Sequence, residues 1–230
     1  MQLPAKIAPL YKKIAKRYQV RFETLKLSQE PLQLLQITDL EPLLAGKDPF
    51  KDVSSFPFWV KLWEASMVLA SLLASMPAKK GTTLLELGAG LAAPGLIAAQ
   101  QGYQVTLSDY EPIILDFQKV NAAVNGLEDR VECILLDWKK PSVLPPFDTI
   151  VGAEILFREE FFEPLLNLFD TLLASDGTIY LAHDVRRKSL PAFLKLAEKK
   201  FEIAVSMRKM KTEDDTLTIV VNRLRRRIPS

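Results

Sequence analysis

Short apolar segments alternate with longer amphipathic segments from residue 82 onward, and this alternation limits the folds open to the chain. Strands separated by helices of this length build a parallel sheet that is covered by helices on both faces. The predicted strands span residues 82–87, 104–108, 130–136, 147–153 and 178–183, and the predicted helices span residues 94–101, 112–125, 160–174 and 190–200. The sequence therefore predicts a doubly wound α/β fold.

Two further strands are predicted near the end of the chain, over residues 202–207 and 217–222. The polar turn between them, residues 211–215, is too short for a parallel crossover, so the two strands should pair antiparallel. We therefore expect a Rossmann-like sheet of seven strands that ends in an antiparallel strand pair.

The first part of the chain lies outside this alternation. A short basic helix is predicted over residues 5–18. Two strands, over residues 20–27 and 32–37, should form a hairpin across the turn at residues 29–31. These elements predict a small N-terminal extension made of a helix and a hairpin.

A turn-rich loop is predicted over residues 46–57, followed by an apolar helix over residues 59–76. We place the domain boundary in this loop. Residues 1–57 then form the N-terminal extension and residues 58–230 the main domain. Because a fold of this type is generic and specificity comes from additions to it, the extension is a candidate for substrate recognition.

Composition excludes several classes of protein. The chain is 48% hydrophobic and 25% charged, which is typical of a globular domain. The net charge of +2 does not demand nucleic acid as a partner, although six lysines and arginines precede the first acid. Cys133 is the only cysteine, so we expect neither a disulfide within the chain nor a metal site. Lys61 and Glu64 interrupt the most apolar helix, so we expect a cytoplasmic protein without membrane contact.

A glycine-rich turn follows the first strand of the predicted sheet. Gly88 permits a tight bend, and Gly90 lets a ligand approach the backbone closely. Glu86 would repel a pyrophosphate, but it could meet the cationic amino group of S-adenosyl-L-methionine. Asp109 ends the next strand, where it could accept hydrogen bonds from ribose hydroxyls. These four residues together predict a binding site for S-adenosylmethionine.

Three more residues are candidates for contacts with this cofactor. Asp137 and Trp138 follow the third strand at its carboxyl end, where Asp137 could accept from the adenine amino group and Trp138 could cover the ring. Trp63 lies on the helix before the first strand. Each also has a structural interpretation, since Asp137 could cap a turn and the tryptophans could pack in the core.

Together these residues resemble the class I, seven-β-strand protein methyltransferases known as lysine methyltransferase family 16, or methyltransferase-like proteins. The resemblance covers roughly residues 58–224. The piece that discriminates best is Glu154-Ile155-Leu156-Phe157, which is similar to the family's Asp/Glu-x-x-Tyr/Phe signature and follows the fourth strand directly. The resemblance also rests on Leu62-Trp63-Glu64-Ala65-Ser66, Leu85-Glu86-Leu87-Gly88-Ala89-Gly90, Ser108-Asp109-Tyr110 and Leu136-Asp137-Trp138.

The resemblance implies transfer of a methyl group to a protein side chain, commonly lysine, with a protein as the partner. It assigns Glu154 to holding and orienting the incoming amine. Phe157 would wall the pocket against water or contact a cation through its ring face. Phe157 stands where many members carry tyrosine. In the structural alternative, Glu154 caps the following segment and Phe157 belongs to the core.

Other functions stay open at this point. Methyltransferases that act on RNA or DNA base amines usually place an Asn/Asp-Pro-Pro-aromatic sequence after the fourth strand, and residues 153–157 contain no proline. Base carbon methylation needs a cysteine, and Cys133 lies on another element. A small-molecule methyltransferase and a catalytically inactive, cofactor-binding interaction module are the remaining alternatives. His183, the only histidine, is a candidate proton acceptor or a structural residue.

Overall fold

The computed structural model describes residues 3–44, 56–211 and 216–227. Its helices are α1 (Ala8–Arg17), α2 (Glu41–Leu44), α3 (Glu64–Ala74), α4 (Ala93–Gln100), α5 (Pro112–Val124), α6 (Phe162–Leu172) and α7 (Leu190–Ala197). Its strands are β1 (Val20–Leu25), β2 (Leu32–Ile37), β3 (Thr83–Leu87), β4 (Gln104–Asp109), β5 (Val131–Leu135), β6 (Phe147–Ala153), β7 (Leu173–Asp184), β8 (Phe201–Lys211) and β9 (Thr216–Arg226). The predicted turn at residues 211–215 and the predicted loop at residues 46–57 lie almost wholly outside the described residues.

The main sheet has seven strands in the order β5-β4-β3-β6-β7-β9-β8. The strands from β5 to β7 are parallel, and β9 runs antiparallel to both of its neighbours. The predicted doubly wound sheet with a terminal antiparallel pair is thereby confirmed. The chain reverses its direction of winding between β3 and its neighbours β4 and β6, and ligands of such sheets bind outside the carboxyl ends of the strands at this point.

Helices cover both faces of the sheet, as alternating strand side chains require. Leu84 of β3 points into an apolar cluster with residues of α3 and α4. The next residue, Leu85, points to the other face, into a cluster with residues of α6 and α7. Both leucines are fully buried. Two apolar layers therefore fix β3, and with it the turn that follows β3.

The predicted N-terminal helix and hairpin are present as α1, β1 and β2. The two strands pair antiparallel, with Val20 opposite Ile37 and Leu25 opposite Leu32. Leu35 of β2 is fully buried in a third apolar cluster, together with Phe117 of α5. The hairpin therefore packs directly on α5.

The predicted helix over residues 59–76 differs from the structure. A single 3-10 turn spans Phe58–Val60, and α3 begins only at Glu64. Lys61 and Trp63 have extended backbone angles, so the chain is not helical between these two elements. The apolar pattern alone could not reveal this break. Among the described residues, no helix combines the length and the apolar character needed to cross a membrane.

The last strands are longer than predicted. β7 begins at Leu173, within the predicted helix, and β8 and β9 have 11 residues each. The final pairs of β8 and β9, as far as Lys211 with Thr216, extend past the end of β7, whose last partner on β9 is Ile219. Beyond that point, the backbone hydrogen bonds between β8 and β9 extend both strands. These hydrogen bonds need no alternation of apolar and polar residues, so the sequence pattern did not reveal the extra length.

Candidate functional site

The turn between β3 and α4 has a left-handed backbone conformation that residues other than glycine rarely adopt. Gly88 and Gly90 have φ angles of 61° and 51°, and Ala92 adopts the same left-handed conformation at 67°. A Cβ atom on Gly90 would lie 3.3 Å from the backbone oxygen of Trp59. The chain therefore needs Gly90 both for its φ angle and for the close approach of the segment before α3.

Asp109, at the end of β4, holds this turn in place. Its carboxylate accepts hydrogen bonds from the backbone N–H of Gly90 at 2.8 Å and from that of Tyr110 at 2.9 Å. Desolvation by burial raises the pKa of Asp109, and the two hydrogen bonds lower it. Because the effect of burial is larger, the pKa rises to about 6.

Glu86, on β3, is buried below the same turn. Its Oε2 atom accepts a hydrogen bond at 2.8 Å from the backbone N–H of Gly95, in the first turn of α4. Burial raises the pKa of Glu86 to about 8, and the nearby charge of Asp109 acts in the same direction. Sequence reasoning missed Gly95. A Cβ atom there would lie 2.5 Å from Glu86 Oε2 and 2.4 Å from Leu107 Cδ2.

The two carboxylates fit a ligand that carries positive charge. In the part of the chain that the structure describes, neither Glu86 nor Asp109 forms an ion pair with a lysine, arginine or histidine. Buried acids are normally paired or neutral. A cationic ligand beside them would favour their ionised forms, whereas a pyrophosphate would be repelled. On ionisation, the two carboxylates can thus supply the negative charge that suits the cationic S-adenosylmethionine.

Two side chains of α5 bind the backbone of the turn, and the sequence pattern did not indicate these contacts. Gln118 donates a hydrogen bond through Nε2 to the carbonyl of Gly90 at 3.2 Å. Asn121 donates through Nδ2 to the carbonyl of Leu91 at 3.2 Å and accepts from the N–H of Leu35 through Oδ1 at 2.7 Å. Asn121 therefore links the N-terminal hairpin to the glycine-rich turn.

Trp138 lies beside the turn, whereas Asp137 is engaged elsewhere. The nearest Trp138 ring atom is 3.5 Å from the position of a Cβ atom on Gly88. The ring also contacts Phe161 edge-on, with a centroid separation of 5.4 Å. Asp137 is exposed and accepts a hydrogen bond from the N–H of Lys139 at 2.9 Å, so it caps a turn in this structure. Its predicted contact with adenine stays a prediction.

Trp63 is tied to the segment before α3. Its indole Nε1 donates a hydrogen bond to the carbonyl of Phe58 at 2.8 Å, and the Lys61 Nζ atom lies 4.5 Å above the ring. The tryptophan nearest to Gly90 is Trp59, which sequence reasoning did not select. The break before α3 brings Trp59 there, and this break was not visible in the apolar pattern.

The segment Glu154–Phe157 follows β6 and contacts the glycine-rich turn. The side chain of Ile155 lies 3.2 Å from the position of a Cβ atom on Gly88. Glu154 has a φ angle of 56°, which is unusual for a residue other than glycine and is typical of strained functional segments. The structure therefore brings the predicted catalytic segment and the predicted cofactor turn together.

The Glu154 carboxylate has two partners at the end of β7. Its Oε1 atom accepts a hydrogen bond at 2.7 Å from the backbone N–H of Asp184. Its Oε2 atom forms a hydrogen-bonded ion pair with the guanidinium of Arg187. The sequence indicated only that Arg187 follows the fifth strand of the sheet. Each carboxylate oxygen keeps a lone pair that could accept one more hydrogen bond.

Phe157 is 48% exposed, so it is not a core residue. Its ring contacts Phe161 at a centroid separation of 5.5 Å, and the Arg158 guanidinium lies 6.0 Å from it. Phe157 and the segment after β7 line a shallow cleft, whose other residues are Glu159, Asp184, Arg186, Arg187, Lys188 and Ser189. The cleft thus combines an aromatic face with mixed charges, and two of its residues, Asp184 and Arg187, bind the Glu154 carboxylate.

His183 is fully buried at the end of β7, next to this segment. Its Nε2 atom accepts a hydrogen bond from the N–H of Leu156 at 3.3 Å. Burial lowers the pKa of His183 to about 3, and the positive charge of Arg187 contributes. A buried imidazole that binds backbone fits the structural alternative better than a proton acceptor for substrate.

Comparisons with known proteins agree with this geometry. Residues 56–200 match the model of a family described as lysine methyltransferase. The chain is 32% identical over 148 residues to the protein N-lysine methyltransferase METTL21A of Xenopus tropicalis, covering 62% of this chain and 68% of that protein. It is 37% identical over 115 residues to the histone-arginine methyltransferase METTL23 of Mus musculus, covering 46% of this chain and 44% of that protein.

Among solved structures, the fold is similar to that of the ribosomal protein L11 methylase from Lactobacillus delbrueckii subsp. bulgaricus. The TM-score is 0.60 at 23% identity, covering 89% of this chain and 100% of the other. This likeness concerns the fold.

Proposed function

The chain belongs to the lysine methyltransferase family of S-adenosylmethionine-dependent enzymes, and from this premise we propose that it transfers a methyl group to a lysine side chain of a protein. The observation that carries the proposal is the proximity of Ile155 to Gly88, since the Ile155 side chain lies 3.2 Å from the position of a Cβ atom on that glycine. It places the segment Glu154–Phe157 against the glycine-rich turn. A substrate amine held at this segment would lie close to the cofactor.

Glu86, Gly88, Gly90 and Asp109 would hold the cofactor, with Trp138 beside Gly88. When bound, S-adenosylmethionine supplies a methyl group on a positively charged sulfur, which a nucleophile displaces in line. The protein's task is to orient the nucleophile, since alignment supplies a large part of the rate. Trp63 and Asp137 stay candidates for further cofactor contacts.

A lysine can react only as the neutral amine, although it is largely protonated near pH 7. The exposed ring of Phe157 provides an apolar wall, and desolvation beside it would lower the pKa of the amine. Arg187 compensates the negative charge of Glu154, which reduces the attraction of the cleft for a protonated amine. Glu154 could still accept a hydrogen bond from the neutral amine and so orient its lone pair.

The test uses cofactor labelled in its methyl group, the purified protein and a lysate of its host. We expect the label to be lost after protease treatment but not after nuclease treatment, and mass spectrometry should find methyllysine. Phe157→Ala should lower the labelling rate roughly tenfold to a hundredfold through loss of alignment. Phe157→Tyr is the matched control and should keep most of the activity.

Label that resists protease and is lost with nuclease would favour a methyltransferase that acts on RNA or DNA. Label found in small molecules would favour a small-molecule methyltransferase. Methylarginine as the product would point to the chemistry named for METTL23. Cofactor binding without any labelled product would favour the inactive interaction module.

We further propose that the N-terminal extension, residues 1–57, selects the protein partner of the catalytic domain, residues 58–230. The family match begins only at residue 56. Lys12, Lys16 and Arg17 are exposed on α1 and have no ion-pair partner among the described residues. Such a face suits an acidic surface. We also propose a cytoplasmic location, because Lys61 and Glu64 interrupt the most apolar stretch of the chain.

Deleting the extension would expose buried residues of β2, so charge reversal is the sharper test. The triple variant Lys12→Glu, Lys16→Glu, Arg17→Glu should lower the labelling of the natural partner while cofactor affinity stays unchanged. Reversal of three exposed lysines elsewhere, Lys79, Lys80 and Lys199, is the control. Equal effects of both triple variants would contradict a role of α1.

A further inference from the structure

The segment Glu154–Phe157 is held at its centre by two side chains that no catalytic role requires. The N–H of Leu156 donates a hydrogen bond to His183 Nε2 at 3.3 Å. The carbonyl of Leu156 accepts a hydrogen bond from the hydroxyl of Ser189. His183 therefore fixes the residue directly before Phe157.

This contact determines the protonation of the imidazole. Because Nε2 accepts a hydrogen bond, it carries no proton, and a neutral ring must carry its proton on Nδ1. Nδ1 is buried and has no partner among the described residues. A buried N–H group without an acceptor destabilises the folded state. An acceptor for Nδ1 is therefore expected nearby.

Asn222 of β9 also has buried polar atoms that lack hydrogen-bond partners among the described residues. It is fully buried, and neither its Oδ1 nor its Nδ2 atom has a hydrogen-bond partner among the described residues. His183 lies opposite Val220, and Asn222 lies opposite Leu181. His183 and Asn222 are thus diagonal neighbours on one face of the sheet.

That face is the one covered by α6 and α7, since Leu181 and Val220 both belong to the apolar cluster there. Diagonal neighbours on antiparallel strands have Cα atoms about 7–8 Å apart. A direct hydrogen bond after a small rotation of the amide, or a single bridging water, spans this separation. The side chains of the surrounding cluster are apolar.

We propose that His183 and Asn222 form a buried polar pair, with the Nδ1 proton of His183 directed to Asn222 Oδ1, and that through this pair His183 is the positioning residue for the segment Glu154–Phe157. The ring then uses both nitrogens for binding and none for proton transfer. The consequence for catalysis rests on the proposed function, whereas the pair itself does not.

Nitrogen NMR tests the pair directly, because His183 is the only histidine of the chain and needs no assignment once an affinity tag without histidine is used. We expect a protonated Nδ1, an unprotonated Nε2 and no titration between pH 5 and pH 8. Arg187 is the charged group that acts on the ring, and it opposes protonation. A proton on Nε2, or an ordinary titration near pH 6.5, would overturn the proposal without any variant.

Two substitutions sharpen the result. Asn222→Leu removes the acceptor and should change the Nδ1 resonance, while Asn222→Asp keeps an acceptor, adds a negative charge and should raise the pKa of His183. Val221→Ala is the control, because Val221 is buried on the opposite face of the same strand. An Nδ1 resonance that Asn222→Leu leaves unchanged would contradict the pairing.

Kinetics then test the positioning role. Asn222→Leu should lower kcat roughly tenfold to a hundredfold through a displaced Phe157, with an unchanged Kd for S-adenosylmethionine. Unchanged kcat with an altered Nδ1 resonance would overturn the positioning role and leave the pair. Absence of protein methylation by the unaltered chain, with the predicted NMR pattern present, would instead refute the proposed function and leave the pair intact.

Discussion

The backbone N–H of Gly95 donates a hydrogen bond to the Glu86 carboxylate at 2.8 Å, which ties the first turn of α4 to β3. The side chains around Gly95 leave little space for a Cβ atom at this position. A Cβ atom there would overlap both Glu86 Oε2 and Leu107 Cδ2. The position of the buried acid therefore depends on a glycine nine residues later in the chain.

Gly95→Ala should lower the free energy of unfolding by about 1–3 kcal/mol, since the added methyl group would displace the buried side-chain ends of Glu86 and Leu107. Chemical denaturation measures the change. Leu107→Ala removes one of the two overlapping atoms, so the double variant should lose less stability than the sum of the single changes. Strict additivity would contradict the overlap with Leu107.

Asn121→Leu should weaken cofactor binding as well as stability. It leaves the N–H of Leu35 and the carbonyl of Leu91 without their partner, at a cost of about 1–3 kcal/mol for the buried donor. Asn125→Leu is the matched control, because Asn125 binds Gln33 of the hairpin and does not bind the glycine-rich turn. Calorimetry should therefore find a reduced affinity for S-adenosylmethionine in the Asn121 variant alone. Equal affinity losses would show that the hairpin, rather than Leu91, transmits the effect.

Ala92→Gly should keep or raise stability, because Ala92 has a φ angle of 67° that glycine adopts without strain. Ala98→Gly, at a buried position inside α4, should instead lose about 1 kcal/mol. Thermal unfolding of the two variants compares the positions. A larger loss at residue 92 than at residue 98 would refute the strain at Ala92.

Stability should also depend on the ionisation of Glu86. The folded protein keeps this proton up to about pH 8, whereas the unfolded chain releases it near pH 4.5. The folded state thus binds more protons between these values, and the free energy of unfolding falls as pH rises through this range. The raised pKa of Asp109, about 6, acts in the same direction below pH 6, and the lowered pKa of His183 acts in the opposite direction below pH 6.5.

The window from pH 6.5 to pH 8 therefore isolates Glu86. Urea denaturation should find that the free energy of unfolding decreases by about 1 kcal/mol per pH unit there. Glu86→Gln, which cannot ionise, should flatten this dependence. A slope that is the same in the parent and the variant would contradict the raised pKa of Glu86.

The doubly wound sheet and its antiparallel end could be predicted from the sequence, because both depend on patterns local to each segment. Glu86, Gly88 and Gly90 could be selected since they share one strand and its turn. Gly95 could not be selected from the sequence, because the side chains that exclude a Cβ atom there include that of Leu107, which lies on another strand.

The partners of Glu154 were also beyond the sequence. Arg187 lies 33 residues later, and only the pairing of β6 with β7 brings it to the carboxylate. The same holds for Asn121, whose two contacts lie 30 and 86 residues away in the chain. Polar residues on helices usually face solvent, so their spacing gave no signal for these contacts.

We propose that Glu86 and Asp109, two buried carboxylates without a cationic partner among the described residues, hold the positively charged cofactor. Calorimetric titration with S-adenosylmethionine tests it most directly, on the parent and on the nearly isosteric double variant Glu86→Gln, Asp109→Asn. We predict binding by the parent with release of a proton at pH 7, visible as a binding enthalpy that varies with the ionisation enthalpy of the buffer. The double variant should bind roughly a hundredfold more weakly. A folded double variant that binds as tightly as the parent would contradict the account.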